Sequence, residues 1–166
     1  PDGMAEMMTT DVRAIMDRTP FDASAVADLR ELLNRDPSRY RTLREAVANI
    51  REREKKDPKP EAHLRLGVGE VLLGRYSAGL DHLKKAGEVG MASYFQGLAY
   101  ENLQKSAEAA KAFSQAASLG YDAKNSELHR AGALRRMGQV AEAKKILDGL
   151  QKQGGGSAEY HFQVGA

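Results

Sequence analysis

The residues best suited to chemistry are four histidines, His63, His82, His129 and His161, because imidazole exchanges protons near neutral pH and is a common metal ligand. None of them falls into H-E-x-x-H or a similar spacing that would set two ligands on one helix face. Cysteine is absent, which removes disulfides, thiolate nucleophiles and Cys-based zinc sites and leaves the compartment open. Gly67-Val68-Gly69 lacks the third glycine of a dinucleotide loop and lies inside a helical pattern rather than after a strand. No P-loop and no G-x-S-x-G occurs. The expectation is a chain without catalytic residues, metal ligands or a cofactor of its own.

Two charge features are suited to binding instead. Residues 51–56 read Arg-Glu-Arg-Glu-Lys-Lys, a mixed run that marks a solvated helix end, with a nucleic-acid or acidic-lipid patch as the less favoured alternative. Arg135 and Arg136 form a basic pair, which is either a solvated pair or a docking point for an acidic partner. With 25 basic and 23 acidic residues the net charge is only +2, so nucleic acid is not expected as the main partner.

The elements that position these residues follow from composition and period. At 166 residues, 42% hydrophobic and 6% aromatic, the chain suits a soluble helical protein rich in Ala and Leu. No apolar run approaches the roughly 20 residues of a spanning helix, so membrane insertion is not expected. The first residues lack the basic start and apolar block of a secretory signal. An opening of Pro1-Asp2-Gly3-Met4 reads as a cut whose native start lies elsewhere, and 1–9 as disordered or non-native. Asp22 is placed to cap a helix carrying Ala25, Leu29, Leu32 and Leu33. Together with a weaker helix from Asp11 it gives a degenerate helical pair over 10–35, either repeat-like or an unrelated pair of helices. Asp36 as N-cap and Pro37 at the first position open a long helix on Tyr40, Leu43, Val47 and Ile50, which residues 57–60, Asp-Pro-Lys-Pro, terminate.

From residue 60 a pattern recurs. In the clearest copy, Gly97 and Tyr100 lie on one helix, and Ala109, Phe113 and Ala116 lie on the next, after a short turn at Gln104. The preceding copy aligns Gly67, the Gly74 turn and Gly79-x3-Leu83. The following one aligns Ala131, the Gly138 turn and Ala143-x3-Leu147. Gly67 and Gly97 are 30 residues apart, Gly97 and Ala131 34, and Gly165 lies a further 34 along. The first copy should therefore be about one turn short, in its second helix or in the loop near 87–90.

This register resembles the tetratricopeptide repeat, a helix-turn-helix unit of about 34 residues with a small residue in helix A and A-x3-F in helix B. The resemblance covers 60–166 well and 10–37 loosely. There are departures: no Trp, Glu70 where an aromatic is usual, and Gly79 in place of the helix B alanine. It implies an all-α fold, a right-handed superhelical solenoid of antiparallel helix pairs. Repeats at about 60–89, 90–123 and 124–157 follow an N-terminal helical extension over 10–59, and a truncated fourth repeat starts over 157–166. His63 and His161 then take equivalent positions, which points to packing.

The resemblance also implies a function: a non-catalytic scaffold that binds a peptide or partner segment in the concave groove of the A helices. The groove positions are Leu64, Val68 and Val71 in the first repeat, Tyr94, Leu98 and Glu101 in the second, and Leu128, Gly132, Arg135 and Arg136 in the third, with Phe162 opening the fourth. Such a surface suits an amphipathic segment with aliphatic anchors and an acidic flank. Family members that grip chaperone tails use Lys and Asn where this chain has Val68, Phe95 and Leu98, so that partner is not expected. Two alternatives stay open. One is self-assembly as a homo-oligomer through exposed terminal helices. The other is service as the recruiting arm of a larger enzyme or of a secretion or envelope complex. The apolar A-helix stripe can also be core, covered by the helix over 37–56.

Overall fold

The computed structural model describes residues 11–154. Its nine described helices fall in two compact units, one ending at Gly87 and the other beginning at Glu88. The expectations for 1–9, for the fourth repeat over 157–166, and for His161, Phe162 and Gly165 lie outside the described residues.

In the first unit, α1 (Val12–Met16) and α2 (Ala23–Arg35) each begin on an aspartate. Asp11 accepts from the Arg13 amide at 3.1 Å and Asp22 from the Ala25 amide at 3.0 Å, satisfying N–H groups that a helix start leaves open. α1 is five residues long, and its Val12, Ile15 and Met16 are fully buried against α2 and α3 (Arg39–Glu54). It is a wedge between the two longer helices, which touch each other only slightly.

α3 starts two residues later than the sequence suggests. The Asp36 carboxylate is taken by the Ser38 amide at 3.1 Å and its hydroxyl at 2.6 Å, which closes a turn over 36–38 instead of capping a helix from Pro37.

Two helices complete the unit, α4 (Pro60–Leu72) and α5 (Tyr76–Lys85). They pack as an antiparallel hairpin because glycine lets their backbones meet. A Cβ on Gly67 would lie 2.6 Å from the Leu83 side chain. One on Gly79 would lie 2.7 Å from Val71 Cγ2 and 3.1 Å from the Gly67 carbonyl oxygen. The backbone contact explains why glycine replaces alanine at 79.

Arg65 fastens this hairpin to the N-terminal helices. Its guanidinium donates to the carbonyls of Met16 at 2.8 Å and Arg18 at 2.7 Å, to Thr19 Oγ1 and to Glu61, and lies over the Phe21 ring. Glu61 in turn accepts from the Phe21 amide at 3.0 Å. Glu70, at 1% exposure, takes the place of the usual aromatic and is held by Arg51 at 2.9 Å and Arg75 at 3.2 Å.

The second unit contains α6 (Gly90–Asn102), α7 (Ser106–Ser118), α8 (Ala123–Arg136) and α9 (Val140–Gly154). Gly97 lies flat against the Phe113 ring, which a Cβ would approach to 2.7 Å. Phe95 and Phe113 are fully buried, and Tyr94 meets both rings edge-on and Tyr121 at a tilt.

The three hairpins share one turn. After α4, α6 and α8 a residue with positive φ, Gly74, Gln104 or Gly138, is followed by an amide that reaches back five residues: Arg75 to Glu70, Lys105 to Tyr100, Gln139 to Leu134, at 2.8–2.9 Å. The first hairpin's shortfall lies in its second helix. α5 has 10 residues where α7 has 13, while the connections after them are equally long.

Candidate functional site

α6 and α8 are linked by side-chain contacts within the second unit and carry most of the residues expected on the groove face. Glu101 of α6 accepts from His129 Nδ1 at 3.0 Å and lies 3.6 Å from Arg136 NH2, both on α8. Glu101 and Arg136 are thereby brought together, with His129 as a member that the sequence did not suggest. His129 also stacks on Phe113 at 4.8 Å between centroids. Leu98 stands one turn before Glu101 on α6 and is half-buried. Arg135 is half-buried too, and its Nε is a buried donor with no hydrogen-bond partner among the described residues.

The other expected groove residues are placed differently. Tyr94 is 5% exposed inside the aromatic cluster, and Leu128 is 6% exposed. Leu64, Val68 and Val71 of the first unit are exposed by 6%, 0% and 6%. Val71 lies against Gly79 of α5, and the neighbouring Gly69 backbone faces Val47 of α3 and Met16 of α1. Helical spacing does not say how fully neighbours cover a side chain. Gly132 is buried as well.

Within the first unit, His63 of α4 and His82 of α5 face each other with Nδ1 atoms 3.1 Å apart. Burial pushes both imidazoles below the ordinary histidine range. Lys85 adds to this at His63; at His82 it is reinforced by His63, Arg51 and Lys85 and opposed by Glu70. Among the described residues no group of three or more His, Asp or Glu side chains converges as a metal site. No described helix is long and apolar enough to cross a membrane. A recess of about 530 Å³, lined by Ser114, Ala117, Lys124, Glu127 and Leu150 among others, shares none of the groove residues.

No protein-family profile and no curated protein matches the chain. Solved structures do. The chain is similar to YrrB, described as a TPR protein with an unusual peptide-binding site, at 20% identity and TM-score 0.67, over 97% of this chain and 79% of that one. It is similar to MamA at 20% identity and TM-score 0.62, over 89% of this chain and 92% of MamA. A point mutant of MamA matches at 18% identity and the same TM-score. At these identities the likeness concerns the fold. The chain has the tetratricopeptide-repeat fold.

Proposed function

We propose that the chain is a non-catalytic interaction scaffold and that the α6 and α8 face of its second unit receives a peptide or partner-protein segment. The observation that carries this reading is the buried, unpartnered Nε of Arg135 beside the Glu101 to Arg136 contact. A buried N–H without an acceptor costs about 1–3 kcal/mol, and a carboxylate that draws the half-buried Arg135 side chain outward would recover it. Glu101 already neutralises part of Arg136, so among the described residues of this face Arg135 is the cation that a ligand would meet. Leu98 supplies apolar surface for an aliphatic anchor, at about 25 cal/mol per Å² buried. The fold itself supports a scaffold role, and YrrB, which shares it, is described as peptide-binding.

The preferred ligand is therefore a segment with an aliphatic residue near an acidic one. Tyr94 and Leu128 act as the floor of this surface, not as contacts. Selection of a displayed random-peptide library on the wild-type chain tests the proposal. Enrichment of an aliphatic-acidic pattern, with binding lost in Leu98→Glu and Arg135→Glu variants of unchanged helicity, supports it. Failure to enrich, or binders indifferent to both substitutions, counts against it.

A further inference from the structure

The imidazoles of His63 and His82 meet by their Nδ1 edges: these atoms are 3.1 Å apart while the ring centroids are 5.3 Å apart and the planes differ by 34°. We propose that this pair is a chelate for a divalent transition metal of the copper, nickel and zinc class, bound through both Nδ1 atoms. With metal to nitrogen bonds of about 2.0–2.1 Å, donors at this separation subtend roughly 95–100° at the ion, between the octahedral and tetrahedral angles, and because centroids 5.3 Å apart set the rings nearly head-on, each ring turns by roughly 20° to aim its lone pair at the ion. Opening to a tetrahedral angle takes only about 0.2–0.3 Å more between the nitrogens. Neutral imidazole pairs suit these metals and not magnesium or calcium, which prefer oxygen.

The helices that carry the pair are preorganised, and only the rings must turn. His63 is on α4 and His82 on α5, and the close approach at Gly67 and Gly79 fixes how these helices cross. Burial disfavours protonation of both rings, so nitrogen lone pairs are available at neutral pH. Glu70 is the anionic neighbour of His82, set against Arg51 and Lys85. Without metal, the Nδ1–H of one ring is donated to the lone pair of the other. Binding moves that proton to Nε2 of the same ring, so the proton count at neutral pH does not change. No third protein ligand converges among the described residues, so water or a partner's side chain completes the shell and the ion remains exchangeable. A sequence separation of 19 hides the pair from any spacing rule.

Calorimetric titration of the full chain with copper(II), nickel and zinc chlorides, and with magnesium chloride as control, tests the site. The expected result is binding that is tightest for copper and absent for magnesium, with one ion lost in His63→Gln and in His82→Gln but retained in His129→Gln. Nitrogen-15 imidazole spectra of the wild type read the same site without substitution, and the Nδ1 signals of His63 and His82 should both move on adding zinc. Unmoved Nδ1 signals, or an unchanged number of bound ions in the His63→Gln, His82→Gln double variant, would overturn the proposal.

Discussion

Replacing Gln104 by glycine should stabilise the chain. Gln104 holds the left-handed position of the α6 to α7 turn at φ +60°, where the two sister turns have Gly74 at +81° and Gly138 at +82°. That conformation costs a residue with a Cβ about 1–2 kcal/mol. Glycine removes the cost but gives the unfolded chain extra freedom, worth about 0.4–1 kcal/mol in the opposite sense. The balance favours Gln104→Gly by about 0.5–1 kcal/mol, because the side chain is exposed and the turn's backbone hydrogen bonds are unaffected. Urea unfolding with an unchanged slope should show it, along with a rise in midpoint temperature of about 2–4 °C per kcal/mol. The reciprocal change, Gly138→Gln, should lose about 0.5–1 kcal/mol by the same reasoning. A destabilised Gln104→Gly, or a neutral Gly138→Gln, would refute the idea that the three turns share one conformational requirement.

Other consequences are open to direct measurement. Gly97→Leu places a side chain against the Phe113 ring and should cost about 1–3 kcal/mol in urea unfolding, whereas a neutral outcome would mean that α6 and α7 can separate freely. Arg65→Met strips the Met16 and Arg18 carbonyls of their donor and should cost about 2–3 kcal/mol, with faster amide exchange in α1 and α2 and unchanged exchange in α7 and α8. His63 and His82 bind protons less readily folded than unfolded, so in chelator-treated protein their contribution to stability is present above about pH 6.5 and lost as pH falls below it. Double replacement by glutamine should flatten the stability curve over that window; an unchanged curve would show that other groups control acid sensitivity.

The repeats were legible because close helix approach demands small residues, and Gly67, Gly97 and Ala131 state that demand at a nearly constant period. The turns were legible for a similar reason at Gly74 and Gly138, whose positive φ glycine adopts without cost. Contacts between distant segments were not. Arg65 reads as an ordinary helix charge until the Met16 and Arg18 carbonyls are placed beside it, and Glu70 reads as a missing aromatic until Arg51 and Arg75 surround it. Of the expected groove residues, Glu101 and Arg136 stand 3.6 Å apart, and Leu98 and Arg135 are half-buried on the same two helices. Helical spacing could not tell that Tyr94 would be enclosed by Phe95, Phe113, Tyr121 and His129. A period fixes direction along one helix, whereas burial depends on the neighbours' volumes.

The central claim, that the face formed by α6 and α8 is where a partner binds, is tested most directly by amide and methyl NMR titration with a peptide from the display selection. The account predicts shift changes concentrated at Leu98, Glu101, His129, Arg135 and Arg136, with the Arg135 Nε–H signal moving downfield as it gains a carboxylate acceptor. Changes confined to α7 and α9, or to the N-terminal helices, would contradict it.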